Sequence, residues 1–195
     1  LFSRRNLTPI IFLLCLLPLG WLVTRGLTSQ LGANPVEAVI RFLGDWALRF
    51  LFITLAVSPL RLLTGWSWPL SLRRMLGLYA FFYLVLHLGA YIGLDRFFDF
   101  AAIWKDILRR NFITAGMIAF VLMVPLAVTS TNKMVKRLGG ARWKKLHKLV
   151  YPIAILGVLH YYWMAKADKT EPLIYAAILG LLFFLRFAVK LRRRT

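Results

Sequence analysis

Cysteine and acidic residues are both scarce in this chain of 195 residues. Its one cysteine, Cys15, lies in an apolar stretch, so the sequence can form neither an internal disulfide nor a CxxC metal or CxxCH haem-attachment motif. Seven acidic residues stand against 26 basic ones, which gives a formal net charge of +19. The sequence also has no GxGxxG motif and no Walker A loop. These absences exclude a disulfide-stabilised fold and the common nucleotide-binding domains.

Apolar residues are abundant instead. They make up 60% of the sequence and charged residues 17%, whereas a soluble domain is about half apolar and about a quarter charged. The mean hydropathy is +0.69. A membrane-spanning helix needs about 20 mostly apolar residues, so most of the chain can lie in a bilayer. We therefore expect an all-α, polytopic membrane protein in contact with lipid and without a soluble domain.

Six apolar stretches have the length of a membrane span. They cover approximately residues 9–27, 42–63, 75–94, 112–131, 147–165 and 172–190. No segment shows the alternation with period two that a transmembrane β-barrel requires. The sequence thus predicts a single transmembrane domain over residues 1–195, built as a six-helix bundle.

The charges between these stretches orient the predicted bundle. Basic segments without any acid alternate along the chain with segments that hold all seven acids. The basic segments contain Arg4, Arg5, Arg61, Arg73, Arg74, the basic residues of 133–148, Lys190, Arg192, Arg193 and Arg194. An excess of Lys and Arg marks the cytoplasmic side of a membrane protein. Both termini are therefore predicted to be cytoplasmic, and the positive charge is explained without nucleic-acid binding.

One connection, residues 95–111, is long for a loop. Its apolar residues recur at near-helical spacing among charged ones. This pattern fits an amphipathic helix on the outer surface of the membrane, and it fits a docking surface for an outer partner equally well.

The three histidines of the chain lie in or at the edge of predicted spans. Ionisable residues inside a membrane are costly and are therefore candidates for function. His87 lies twelve residues into the third stretch, and His160 lies thirteen residues beyond His147, where the fifth stretch begins. At about 1.5 Å per residue, His87 and His160 reach similar depths in the outer half. Two neutral imidazoles at one depth can bind a haem iron from opposite faces, although each histidine can also be a polar residue satisfied within the bundle.

A second site is predicted about 20 Å nearer to the cytoplasm. His147 lies at that level, and the third stretch offers Arg73 and Arg74 there rather than a histidine. An arginine does not readily lose a proton to become a ligand, but it can pair with a haem propionate or a flavin phosphate, or hydrogen-bond a quinone. His147 with Arg73 or Arg74 is therefore a candidate for a second haem or for the site where electrons enter.

Three further residues are candidates for contact with a cofactor. Arg61 follows a Ser-Pro pair near the inner end of the second stretch and can pair with an anionic group. Gly77 and Gly157 leave room for a planar cofactor, but small residues serve ordinary helix packing as well. No residue of the chain is predicted to be catalytic.

Six short motifs resemble those of the MsrQ (YedZ) family, the haem-binding membrane subunits of the periplasmic methionine sulfoxide reductase system. The family belongs to the ferric-reductase-like transmembrane superfamily. The matching motifs are GANPV at 32–36, RRMLGL at 73–78, LHL at 86–88, LAVTST at 126–131, WKKLHKLVY at 143–151 and LHY at 159–161. The resemblance covers nearly the whole chain.

The resemblance implies a b-type haem protein of the bacterial inner membrane, with FMN also described for the family. It implies an electron-transfer subunit rather than the catalytic one. Electrons would pass from the quinone pool, or from a cytosolic flavin reductase, to a periplasmic molybdopterin-containing subunit that reduces methionine sulfoxide in proteins. In the superfamily, paired histidines on helices three and five hold two haems. This sequence matches the outer pair at His87 and His160 and has Arg73 in place of an inner histidine.

Two other functions stay open at this point. The first is a ferric-reductase-like or quinone-linked cytochrome b with another electron acceptor. The second is of a different class, a small non-redox transporter or scaffold. Histidines at two depths argue against this second function, as does the lack of paired Gly/Pro-interrupted helices.

Overall fold

The computed structural model describes the backbone of residues 4–192 and the side chains of residues 7–188, and this part of the chain is helical without strands. The helices are α1 (Arg4–Leu27), α2 (Pro35–Thr64), α3 (Pro69–Ala90), α4 (Phe100–Arg109), α5 (Asn111–Val128), α6 (Asn132–Leu138), α7 (Gly140–Leu146), α8 (Val150–Met164) and α9 (Thr170–Arg192). A π-helical turn, Tyr91–Asp95, extends α3, and a 3₁₀ turn, His147–Leu149, precedes α8. The predicted all-α architecture is confirmed. The side chains of Arg4, Arg5, Lys190 and Arg192, and all of Arg193 and Arg194, lie outside the described residues.

Within the described range, five helical segments are long and apolar enough to cross a membrane. They are Leu7–Leu27, Pro35–Thr64, Pro69–Asp95, Asn111–Val128 and Thr170–Ala188. The remaining predicted span, residues 147–165, forms the shorter helix α8, which has 15 residues. Its α-helical part is about 22 Å long, and the 3₁₀ turn before it adds about 6 Å. Together they approach the roughly 30 Å thickness of the hydrocarbon core.

Helix α2 begins seven residues earlier than predicted, because a capping box starts it. The side chain of Asn34 accepts a hydrogen bond from the backbone N–H of Glu37 at 3.2 Å, and its amide donates to the Glu37 carboxylate at 2.9 Å. Pro35, at the first helical position, has no N–H that would be left unpaired. The first bond pairs one of the backbone N–H groups that a helix start otherwise exposes, and the second joins the two side chains.

Helix α5 ends three residues before its predicted end. The hydroxyl groups of Thr129 and Ser130 donate to the carbonyls of Pro125 and Leu126. Thr131 then caps α6 by accepting a hydrogen bond from the backbone N–H of Met134. The three hydroxyl residues that end the LAVTST motif therefore form a helix stop followed by a helix start. The basic side chains of 133–148 follow on α6, α7 and the 3₁₀ turn, and all of them are exposed.

The long connection 95–111 contains α4, so its predicted helical periodicity is confirmed. Ile103 and Asp106 are buried, and Asp106 forms an ion pair with Arg110 at 3.1 Å. The exposed side of the helix carries two large apolar side chains, Trp104 and Leu108, which are both more than half exposed, beside the exposed Lys105 and Arg109.

The chain divides into two compact units, residues 1–54 with 66–99 and residues 55–65 with 100–195. In the first unit, Tyr83 of α3 is fully buried and stacks on Phe50 at 5.3 Å. Its hydroxyl donates to the carbonyl of Cys15 at 2.9 Å and accepts from the N–H of Leu19 at 3.2 Å. The hydroxyl thus bridges two backbone groups that face each other across one turn of α1. One tyrosine fixes α3 against α1 and α2 in this way.

In the second unit, α5 and α8 form the most extensive helix pairing. Ala115 and Ala119 of α5 and Ala154 of α8 are buried. Side chains this small let two helix backbones approach closely. Arg186 of α9 links helices of this unit by hydrogen bonds. Its guanidinium donates to the hydroxyl of Tyr151 at 2.7 Å and to the carbonyl of Leu55. That the two units form one domain over residues 1–195 stays a prediction.

Candidate functional site

His87 lies on the face of α3 that makes polar contacts with neighbouring helices. Tyr79, Tyr83 and His87 are spaced four residues apart, so their side chains leave the helix on one side. The two tyrosines bond to backbone carbonyls of α1. Nδ1 of His87 lies 2.8 Å from the backbone carbonyl oxygen of Ile40 on α2. Because a carbonyl oxygen can only accept a hydrogen bond, Nδ1 carries the proton and donates it.

Gly44 provides the space for this imidazole. A Cβ at Gly44 would lie 3.0 Å from both Cε1 and Nδ1 of His87, which is closer than the roughly 3.5–4.0 Å of favourable carbon contacts. Gly44 is also one helical turn beyond Ile40, the residue that accepts the hydrogen bond. The ring of His87 therefore rests on the glycine while Nδ1 binds the carbonyl one turn before it.

His160 on α8 has the same surroundings in the second unit. Its Nδ1 donates to the carbonyl of Phe112 on α5 at 2.6 Å. A Cβ at Gly116, again one turn beyond the acceptor, would lie 2.8 Å from Nδ1 and 3.1 Å from Cε1 of His160. Each unit thus contains one half-buried histidine, one main-chain acceptor and one glycine in equivalent positions.

This arrangement fixes the chemistry of both rings. In a neutral imidazole one nitrogen is a donor and the other carries a lone pair, so a proton on Nδ1 places the lone pair on Nε2. Donation from Nδ1 to a backbone carbonyl is the usual way in which a metal-binding histidine is oriented and made more basic. His87 and His160 therefore fit an axial ligand of a haem, which needs one nitrogen on each face of the iron. Among the described residues, no three His, Cys, Asp or Glu side chains group as ligands for a bare metal ion.

His147 has a different environment. It lies in the 3₁₀ turn before α8, and its Nδ1 donates to the carbonyl of Trp143 at 3.1 Å, one turn earlier in the same segment. Its ring stacks on that of Trp143 with the centroids 3.9 Å apart. The indole N–H of Trp143 donates to the carbonyl of Thr129 at 2.9 Å. Trp143, in the same segment, thus orients His147 through a hydrogen bond and a ring contact.

The other predicted site residues are distributed over the two units. Arg73 and Arg74 lie in the first turns of α3, and Arg61 in the last turn of α2, and all three are exposed. A Cβ at Gly77 would meet Thr54 at an ordinary 3.6 Å, and contact of Gly77 with a cofactor stays a prediction. Gly157 is half-buried within α8.

Sequence reasoning missed the carbonyls of Ile40 and Phe112 and the role of Gly44. A main-chain acceptor has no residue signature, so only the glycines could have indicated these contacts. Gly44 precedes His87 by 43 residues, and Gly116 precedes His160 by 44. This near-equal spacing of glycine and histidine is visible in the sequence.

Comparison with known proteins gives matches over nearly the whole chain. Residues 43–158 match the family of ferric reductase like transmembrane components. The protein-methionine-sulfoxide reductase heme-binding subunit MsrQ of Rhodospirillum rubrum is 60% identical over 94% of this chain and 88% of its own length. The subunits of the same name from Herminiimonas arsenicoxydans and Caulobacter vibrioides are 54% and 51% identical, over 91% and 87% of this chain and 82% and 80% of their own lengths.

Proposed function

The chain belongs to the family of ferric reductase like transmembrane components and, within it, to the MsrQ haem-binding subunits, and from this premise we propose how it carries electrons. It is a membrane protein and the haem-binding subunit of a methionine sulfoxide reductase system. Such a subunit transfers electrons to a partner that reduces the sulfoxide.

We propose that His87 and His160 are the axial ligands of one b-type haem. The observation that carries this proposal is the hydrogen bond from each Nδ1 to a backbone carbonyl, Ile40 for His87 and Phe112 for His160. Both bonds direct the ring and place the lone pair on Nε2. When bound there, haem supplies a centre that takes up and releases one electron at a time. Two neutral imidazoles add no charge, which limits the free-energy cost of burying the site in a membrane.

We propose that electrons enter at His147, together with Arg73 or Arg74. The stacked Trp143 ring holds His147 in place, and the exposed guanidinium groups can bind an anion bidentately. A quinol, the phosphate of an FMN or a propionate of a second haem would each find suitable groups there. The electron donor is quinol or a cytosolic flavin reductase.

The direction of transfer follows from the charges. The basic segments support a cytoplasmic position for the termini and the His147 turn, and we propose a bacterial inner membrane as the location. His87 and His160 then lie in the outer half, near a periplasmic acceptor. We propose that this acceptor is a molybdopterin-containing subunit that reduces methionine sulfoxide in proteins.

An absorption spectrum of the purified protein, expressed with adequate haem, tests the proposal. We expect a Soret band and a low-spin spectrum in both oxidation states. Replacing His87 or His160 by Ala should abolish the low-spin signal, because one axial ligand is lost. His147→Ala is the matched control and should retain it. A wild-type protein without a Soret band, or a signal removed only by His147→Ala, would contradict the proposed ligands.

A second candidate is a cytochrome b of the same fold with another acceptor, since the matching family is described by its likeness to ferric reductases. Stopped-flow oxidation of the reduced protein separates the two. Fast oxidation by the periplasmic subunit, and slow oxidation by ferric chelates, favours the first function, whereas the reverse order favours the second. A non-redox transporter or scaffold is opposed by the haem-binding relatives.

A further inference from the structure

The environment of the two histidines is repeated between the units. In each unit the acceptor carbonyl is followed four residues later by a glycine, Ile40 by Gly44 and Phe112 by Gly116. The acceptor precedes its histidine by 47 residues in the first unit and by 48 in the second. The helices that carry these residues are α2 with α3 in the first unit and α5 with α8 in the second.

The repeat has a steric reason. The acceptor carbonyl points along its helix toward the N–H of the residue four positions later, so an imidazole that reaches this carbonyl must lie against that residue. At these two sites a Cβ on that residue would crowd the ring. At Gly116 an added Cβ would come within 2.8 Å of Nδ1 of His160, and at Gly44 within 3.0 Å of Nδ1 of His87. A side chain at Gly116 therefore requires the ring of His160 to shift, and one at Gly44 requires the ring of His87 to give by a few tenths of an ångström.

We infer that Gly44 and Gly116 are positioning residues, which set the orientation and basicity of the two axial imidazoles and thereby the potential of the haem. This inference rests on the proposed ligation by His87 and His160. An alanine at either position displaces the ring and lengthens or breaks its hydrogen bond to the carbonyl. An imidazole without this hydrogen bond is a weaker electron donor to iron. The reduced haem is therefore stabilised relative to the oxidised haem, and the potential rises.

Alanine at the two glycine positions should raise the haem potential by different amounts. Because the contact at Gly116 is tighter than that at Gly44, Gly116→Ala should have the larger effect. A shift of about 30 mV in a one-electron couple corresponds to about a threefold change in the equilibrium constant, since a tenfold change is 59 mV. We expect a rise of at least this size for Gly116→Ala and a smaller rise for Gly44→Ala.

Two other glycines provide matched controls. A Cβ at Gly89, on the same helix as His87, or at Gly180 on α9 would meet no atom within 4 Å. Gly89→Ala and Gly180→Ala therefore change helix propensity by the same amount as the test variants without touching an imidazole. They should retain the wild-type potential and low-spin spectrum.

The experiment is a redox titration of the purified holoprotein with low-temperature EPR of the oxidised form. We expect Gly116→Ala, and to a lesser degree Gly44→Ala, to shift the low-spin g-values and raise the potential. A normal wild-type spectrum combined with unchanged g-values and potential in both variants would overturn the inference and leave the ligands intact. Loss of the wild-type Soret band would instead overturn the proposed function.

If Gly116→Ala does not fold, Gly44→Ala carries the test alone; if it folds, a second comparison asks whether the methyl group acts through the tethered ring of His160. In a His160→Gly background, added imidazole can replace the side chain and is not tethered to α8. The further change Gly116→Ala should then raise the potential much less than it does with His160 present, because a free imidazole can shift away from the new methyl group. An equal rise in both backgrounds would contradict a role through the orientation of His160.

Discussion

The carbonyls of Ile40 and Phe112 determine what His87 and His160 can do. Each accepts a hydrogen bond from Nδ1, so the tautomer of each ring is decided by a main-chain atom of another helix. A main-chain acceptor keeps this role under almost any substitution at its own position. The glycine one turn later tolerates substitution less well, because the imidazole ring lies where a side chain would be.

A tyrosine on the same face of α3 leads to a prediction about stability. Tyr83→Phe removes the hydroxyl that serves both the carbonyl of Cys15 and the N–H of Leu19. Leaving buried polar groups unsatisfied costs about 1–3 kcal/mol, so we expect a lower free energy of unfolding by this amount. Denaturant unfolding in mild detergent measures it.

The matched control for this change is Tyr162→Phe. Lys169 lies over the ring of Tyr162 at 3.8 Å, and phenylalanine keeps that cation–π contact. We expect less than half of the loss seen for Tyr83→Phe. Equal losses in the two variants would show that the bridge to α1 contributes nothing specific.

The sequence predicted which side chains could bind a cofactor, but it could not predict their main-chain hydrogen-bond partners. Similar depths for His87 and His160 were predicted by counting residues along apolar stretches, because an α-helix has a fixed rise per residue, and they stay a prediction. Their acceptors could not be predicted, since which carbonyl faces a histidine depends on how the helices pack. That His87 and His160 share one haem stays a prediction.

The start of α2, like that of α6, rests on an identifiable capping side chain. Asn34→Ala removes both hydrogen bonds of the capping box with Glu37. Loss of an N-cap residue costs about 0.5–2 kcal/mol, and we expect a decrease of this size in the free energy of unfolding. Asn34→Asp keeps the acceptor at the N-cap and should cost less than Asn34→Ala. If the two variants were equally stable, the cap would not hold the start of α2.

The sequence predicted the existence of the helices better than their ends. Hydropathy located the six apolar stretches, but it could not extend α2 back to Pro35. The residues before position 42 include charged ones, which lower the hydropathy although they fit at the capped start of a helix. It likewise placed Thr129 and Ser130 inside a span, whereas their hydroxyls close α5. The 3₁₀ turn at His147 also escaped prediction, since its tighter winding leaves no mark on hydropathy.

For the whole molecule, the fold class followed from composition and the orientation from charge. The structure and the family match agree with a polytopic all-α membrane protein. Which side of the membrane each connection faces stays a prediction that rests on the positive-inside pattern.

Single cysteines test this orientation, because Cys15 is the only native cysteine. In a Cys15→Ala background, we predict that Lys136→Cys on α6 reacts with a membrane-impermeant maleimide only in inverted vesicles. Lys166→Cys, in the connection between α8 and α9, should react in intact spheroplasts. Both lysines are exposed, so a difference in labelling reports the side of the membrane. The opposite pattern would reverse the direction of electron transfer.

The proposed function depends most on the two nitrogens that bind iron, and hyperfine spectroscopy counts them. The measurement is pulsed EPR of the oxidised protein in which only the histidines carry ¹⁵N. We predict two strongly coupled histidine nitrogens in the wild type, and two in His147→Ala. Only one should remain in His87→Ala and in His160→Ala. A wild-type spectrum with a single coupled histidine nitrogen, or loss of a coupling in His147→Ala, would contradict ligation by His87 and His160.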